Sequence, residues 1–225
     1  MEYNRNPRGD GVMPERPIVG VIMATLLEAE PFIEALGMEK VQVGPLVAYR
    51  QEGVVLVVSG IGKVNAAVAT AACCTLFRPH RLLNLGAAGA TGPSHPMGEI
   101  CHITKVIEYD RPHFRGHGPH VHKPEVLPGF REATLATQDR AVLEAGHRRE
   151  VSAAAELVDM EGSAVVQTGH RLGIGCVLFK FVSDTPELPS GHGDIVECIK
   201  QYRIPFCRFV LDWVMPILRE DQGEG

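Results

Sequence analysis

Residues 18–36, Ile-Val-Gly-Val-Ile-Met-Ala-Thr-Leu-Leu-Glu-Ala-Glu-Pro-Phe-Ile-Glu-Ala-Leu, decide how the rest of the chain is read. Ile18 to Met23 is an unbroken apolar run suited to a buried strand, and from Leu26 to Leu36 the apolar positions recur at helical spacing. The pairing of strand and helix then repeats. Gly53 to Ser59 is a second apolar, β-branched run, and after Gly60-Ile61-Gly62-Lys63 the Ala-rich stretch Val64 to Phe77 favours helix. Arg81 to Leu85 predicts a third strand, ending in a glycine-rich turn from Gly86 to Gly92, and Glu99 to Tyr109 a fourth. Further on, Asp110 to Pro128 reads as loop, Ala133 to Thr137 as strand and Arg140 to Gly146 as a short helix. Glu161 to Leu172 reads as a helix stopped by Gly173, and Cys176 to Val182 as a buried strand. The last helix, Asp194 to Leu218, is interrupted at Pro205 and Pro216, so it is kinked or is two helices in series. Strands alternating with helices over this length imply an α/β fold with a central, largely parallel sheet.

Composition narrows the function. The chain has 225 residues, 45% of them hydrophobic and 22% charged, close to ordinary globular usage and far from that of disordered segments. Residues 1–17 are polar and rich in Pro and Gly and read as a flexible leader. Residues 18–219 are expected to form one domain, with 220–225 as a tail. No apolar stretch reaches membrane-span length, which predicts a soluble protein without a membrane partner. The six cysteines form no CxxC pair, and several sit in apolar runs like ordinary buried thiols, which fits a reducing cytoplasm. A net charge of −5 without a basic patch argues against a nucleic-acid partner and favours a small neutral or cationic ligand.

In open α/β sheets ligands bind beyond the carboxyl ends of the strands. Four places there carry chemistry: Glu28 in the first helical turn, the glycine run Gly86 to Gly92, Asp159-Met160-Glu161-Gly162, and Ser183-Asp184. The glycine run, spaced Gly86-x-x-Gly89-x-x-Gly92, resembles a dinucleotide fingerprint, but Pro93 and Pro96 leave no helix N-terminus to hold a pyrophosphate. The Gly60–Lys63 turn likewise lacks the earlier glycine and the following Ser/Thr of a P-loop. Asp184 ends a strongly apolar strand, where partial desolvation raises a carboxyl pKa and suits a general acid. A capping or turn role before Pro186 accounts for it equally well. Glu28 and Glu161 are open to a plain reading too, as solvated first-turn carboxylates complementing helix dipoles.

Five segments in order carry a family resemblance: Val19 to Glu28, Ser59 to Ala67, Asn84 to Gly89, Val158 to Ala164 and Val182 to Asp184. Together they are similar to the motifs of the nucleoside phosphorylase and nucleosidase superfamily, with methylthioadenosine/S-adenosylhomocysteine nucleosidases as the best match. The resemblance implies a three-layer phosphorylase-like fold, with a mixed, mostly parallel twisted sheet between helices. It implies hydrolysis of a purine nucleoside N-glycosidic bond, with Asp184 as the acid near N7 of the base, held by Ser183, and Glu28 activating a water on the opposite face of the sugar. Glu161 would accept ribose hydroxyls, Met160 would pack on the sugar, and backbone at Ala88, Gly89 and Val142 would line the base pocket. It also implies a homodimer and no cofactor or metal.

The chain departs from the family pattern at three places. Ala87 stands where those nucleosidases carry serine, Lys180 where they carry arginine, and Ala141 where an aromatic residue stacks on adenine. The water site is altered and the base and 5′-substituent are left open. Phosphorolysis would need arginines around an anion, and where the similar bacterial hexameric phosphorylases carry an arginine ahead of the glycine run this chain has Asn84, so hydrolysis is preferred, although Lys180 supplies one positive charge. A phosphate-dependent purine nucleoside phosphorylase and a non-catalytic nucleoside-binding homologue remain as alternatives. The prolines after the glycine run discount a dehydrogenase. His113, His117, His120 and His122 are read as a solvated loop rather than a metal site, because no carboxylate or Cys is interleaved at ligand spacing.

Overall fold

The computed structural model of the chain describes residues 19–44, 46–112, 118–187 and 192–220. The expected leader, His113 and His117 lie outside them. Strand β1 (Val19–Met23) is buried at all five positions and runs parallel to β4 (Val54–Val58) on one side and β5 (Arg81–Ala90) on the other. Covered on both faces, these strands need apolar side chains throughout, which is why they appear in the sequence as unbroken runs. Beyond β4 the sheet continues antiparallel through β3 (Leu46–Gln51) and β2 (Glu39–Val43).

On its other side β5 pairs in parallel with β10 (Gly175–Asp184), and β10 pairs antiparallel with β6 (Ile100–Glu108). Then β6 leads in parallel to β8 (Glu132–Thr137), and β8 to β9 (Leu157–Asp159). Finally β9 turns back antiparallel onto Gly89 and Ala90 at the end of β5. Strands β5, β10, β6, β8 and β9 therefore close a ring, from which β1, β4, β3 and β2 extend as an open wing. A short β7 (His120–His122) edges β6.

Helices α2 (Lys63–Phe77) and α4 (Gly162–Arg171) cover one face over Ile22, Val55, Leu82 and Leu178. The other face, with Leu56, Phe179 and Phe181, packs against α1 (Leu26–Ala35), α5 (His192–Phe209) and α6 (Met215–Glu220) through Phe32, Phe206 and Leu218. The three layers and the parallel centre agree with expectation. Among the described residues no helix is long and apolar enough to cross a membrane.

Helix α1 shows how local chemistry fixes the wall of a site. Thr25 caps it in a reciprocal box: the Glu28 N–H donates to the Thr25 hydroxyl, and the Thr25 N–H donates back to Glu28 Oε2 at 3.1 Å. Pro31 inside the helix leaves the Leu27 carbonyl without its i+4 donor. Arg203 of α5 supplies one, with Nη1 at 2.7 Å from that oxygen, and also pairs with Glu30.

The structure corrects three readings. The glycine run is not a turn: β5 continues to Ala90, with Gly86 and Gly89 inside it. The short helix expected at Arg140–Gly146 is absent. Residues 140–144 are irregular and α3 runs from Ala145 to Ser152, because the Val142 carbonyl accepts from the Arg148 side chain rather than from a helical N–H. The final helix passes through Pro205 and continues by a π-helical stretch, Val210–Val214, into α6.

Candidate active site

The carboxyl ends of β1, β4, β5, β8, β9 and β10 meet at one rim, around a cleft whose lining includes Glu28, Ile61, Ala88, Gly89, Val142, Met160, Glu161, Ser183 and Asp184. The chain thus brings together the residues singled out from sequence, apart from Lys180, which lies beneath them. Glu28, Glu161 and Asp184 are only 5%, 7% and 7% exposed, so none is a solvated helix-end carboxylate.

Glu28 is held from two directions. Its Oε2 accepts from the Thr25 N–H and, at 2.6 Å, from the Thr25 hydroxyl, while Oε1 accepts from the Ala87 N–H at 2.8 Å. The first pair is the helix cap; the second fastens that cap to β5. Glycine is needed where the carboxylates press on the strand. A Cβ at Gly86 would fall 2.8 Å from Glu28 Oε1, and Gly86 has φ of 151°. A Cβ at Gly89 would fall 2.8 Å from Asp184 Oδ2.

Glu161 is free to face the cleft because its neighbour does the capping. Although Glu161 occupies the N-cap of α4, it is Asp159 that accepts the Gly162 N–H, at 2.8 Å, and the Thr137 hydroxyl, at 2.7 Å. Glu161 Oε1 instead receives the Gly62 N–H at 2.8 Å. Burial pushes the Glu161 carboxyl up to about 7, the Asp159 carboxylate adds to this, and Lys180 and the Gly62 N–H oppose it. Below the floor, Lys180 Nζ sits 2.9 Å from Asp159 Oδ2, both side chains being buried. Burial disfavours the ammonium, but Asp159, Glu161 and Glu28 more than restore it, so Lys180 stays charged above the ordinary lysine range.

Asp184 accepts the Ser183 hydroxyl on Oδ1 at 2.9 Å. Its Oδ2 accepts from Nη2 of Arg148, a residue the sequence reading overlooked. Arg148 comes from α3 and is 4% exposed. The buried carboxyl group thus meets a hydroxyl on one oxygen and a buried guanidinium on the other. In sequence, Arg148 lies within His-Arg-Arg-Glu, a stretch with the signature of a solvated helical face, and nothing there marks which arginine turns inward.

His120 and His122, expected in a solvated loop, instead lie half-buried on β7, paired to β6 and away from the cleft. Among the described residues, the metal-type donors that cluster are His95, Glu99 and Cys101, outside the cleft. There His95 Nδ1 is hydrogen-bonded to Glu99 Oε2 at 2.6 Å, Arg131 lies 3.7 Å from the other Glu99 oxygen, and His95 Nε2 lies 3.5 Å from Glu156 Oε1.

Known proteins give the arrangement its context. The protein is similar to the 5′-methylthioadenosine/S-adenosylhomocysteine nucleosidase of Anoxybacillus flavithermus, 28% identical over 157 residues that cover 58% of this chain and 67% of that one. The solved structure of the Neisseria meningitidis enzyme of the same name, in complex with methylthio-immucillin-A, superposes with a TM-score of 0.76 at 25% identity, covering 88% of this chain and 98% of that one. The Arabidopsis thaliana 5′-methylthioadenosine nucleosidase in apo form shares the fold with a TM-score of 0.82 at 20% identity, covering 93% and 98%. The family model for the phosphorylase superfamily matches residues 18–153, more than half of the chain. With the ring-and-wing sheet and the cleft at its carboxyl rim, that match decides the assignment: this protein belongs to the phosphorylase superfamily.

Proposed function

We propose that this chain hydrolyses the N-glycosidic bond of a purine nucleoside of the 5′-methylthioadenosine/S-adenosylhomocysteine type. The observation that carries the reading is the pressing of two buried carboxylates, Glu28 and Asp184, onto one strand at Gly86 and Gly89. Three residues of extended chain span about 10 Å, and a separation of that order leaves room for a sugar with a water beside it. The family match and the nucleosidase relatives support the same chemistry.

In this mechanism the Asp184 carboxyl group delivers a proton to N7 as the bond from C1′ to N9 breaks and the base leaves. A water adds to C1′ from the opposite face and yields its proton to Glu28. Solvent returns the proton from Glu28 to Asp184. Glu161, ionised, accepts the ribose hydroxyls and Met160 packs on the sugar, while Ala88, Gly89 and Val142 face the base. Ala141, which lines the cleft where the relatives' pattern has an aromatic ring, leaves the base held by edge contacts more than by stacking.

Phosphorolysis is the weaker reading, because Lys180, the buried cation beneath Glu28, is already engaged by Asp159 and flanked by Glu161. An incoming phosphate beside Glu28 would also meet the carboxylates of Asp159 and Glu161 around that ammonium. The test is a panel of purine nucleosides incubated with purified protein in phosphate-free buffer and resolved by chromatography. Free base and free sugar are expected, and strict dependence on added phosphate would refute hydrolysis.

A further inference from the structure

Arg148 does not line the cleft and, in the mechanism above, moves no proton and meets no substrate, yet it is a buried charge spent on three acceptors. Nη1 donates to the Ala90 carbonyl at the end of β5. Nη2 donates to the Val142 carbonyl at 2.8 Å and to Asp184 Oδ2. A cation this buried is retained only where its donors are matched, since an unpaired one costs far more than a lost surface ion pair. The three acceptors belong to three different parts of the site: the strand under the base, the irregular 140–144 wall beside it, and the acid.

We infer that Arg148 is the positioning residue for leaving-group protonation, a guanidinium clamp that fixes the Asp184 carboxyl group in register with the wall of the base pocket. The inference rests on the hydrolytic reading and adds a residue to it. Three features favour the clamp over a merely structural tie. One nitrogen, Nη2, serves both the acid and the wall, so neither moves without the other. The opposite oxygen of Asp184 is held by the Ser183 hydroxyl, so both carboxyl oxygens are located from the protein side before a base arrives. Gly89 gives the carboxyl group room to lie against the strand, and a planar guanidinium on its far side stops it swinging away.

The geometry also explains why lysine would not serve. An ammonium on a flexible stem is a point donor, whereas these three acceptors lie around the fork of one planar group.

The experiment compares wild type, Arg148→Met, Arg148→Lys, Asp184→Asn and the Arg148→Met/Asp184→Asn double variant, all full-length. The substrate is 5′-methylthioadenosine, or whichever nucleoside of the panel is turned over. Arg148→Met is expected to lower kcat about 100-fold, the scale of a catalytic group misplaced by an ångström, with KM within about threefold of wild type. Arg148→Lys should recover about tenfold of that loss. The double variant should be no slower than Asp184→Asn alone, because a clamp whose acid is gone has nothing left to position.

A kcat for Arg148→Met within about threefold of wild type would overturn the inference, as would a loss that adds in full to that of Asp184→Asn. If Arg148→Met does not fold, Arg148→Lys decides: unchanged kcat in the folded variant sinks the clamp, and a loss that disappears in the Asp184→Asn background supports it. An inactive wild type would fail the hydrolytic reading separately. The clamp would then be read from denaturation midpoints, which must be non-additive for the Arg148 and Asp184 substitutions.

Discussion

Glu28 and Asp184 are carboxylates of similar burial in one cleft, yet they are held by opposite means. Glu28 is fixed locally, by the N–H and hydroxyl of a residue three positions earlier, with one backbone N–H from β5 as a distant donor. Asp184 has the neighbouring Ser183 hydroxyl on one oxygen, but its other oxygen is fixed at long range, by a guanidinium 36 positions earlier in the chain. The first arrangement comes with the helix: any chain that caps α1 this way delivers the carboxylate to the rim. The second exists only once α3 has docked against the ring. The proposed base is therefore part of the secondary structure, and the proposed acid is a product of tertiary structure.

The comparison can be broken most forcefully at the acid. Asp184→Asn should cut kcat roughly 1,000-fold while leaving nucleoside affinity nearly unchanged, the scale for loss of a general acid. A variant that turns over at the wild-type rate would remove Asp184 from the mechanism. Gly89→Ala comes next. Its new methyl would meet Asp184 Oδ2 at 2.8 Å, so kcat should fall about 100-fold by displacing the carboxyl group, in a protein that still folds by circular dichroism.

Glu161 gives a smaller, pH-dependent effect. Because its folded pKa is raised to about 7, the neutral form dominates below that pH and the carboxylate above it. The acceptor for ribose hydroxyls thus gains charge as pH rises, and KM should be about five- to tenfold lower at pH 8 than at pH 6. Glu161→Gln should flatten that dependence, and a KM profile unchanged by the substitution would assign it to another group. In the fold, the same raised pKa means that the stability gained from a neutral Glu161 is complete below about 4.5 and lost as pH rises through about 7.

The mildest change is at the cap. Thr25→Ala should cost about 1 kcal/mol of stability, visible as a few degrees in Tm, and weaken the hold on Glu28 without removing it. An effect on kcat as large as that of Gly89→Ala would show that Glu28 depends on its cap more than on β5.

The same contrast explains what could be read from sequence. β1, α1, β4, α2 and β10 are legible because strands covered on both faces and amphipathic helices write their burial into composition. β2 and β3 escaped assignment, since Glu39 to Val43 and Leu46 to Gln51 mix exposed and half-buried positions and owe their register to β4. The run Gly86 to Ala90 was read as a turn because glycine usually breaks structure; here it keeps a central strand thin enough for two carboxylates to lie against it. β9 is three residues long, too short for any period to show. Glu28, Glu161 and Asp184 could be found through ordered motifs, whereas Arg148 could not, because its inward turn depends on carbonyls at 90 and 142 that only the folded ring brings together.

The bond from Arg203 to the Leu27 carbonyl has a mechanical consequence. Pro31 opens a gap in the hydrogen-bonding ladder of α1, and a side chain from α5 closes it. That flaw staples the helix bearing Glu28 to the helix whose Ile195 and Ile199 form another side of the cleft. The two sides share a mounting at Arg203, so parting one from the other has to break both the bond to the Leu27 carbonyl and the ion pair with Glu30.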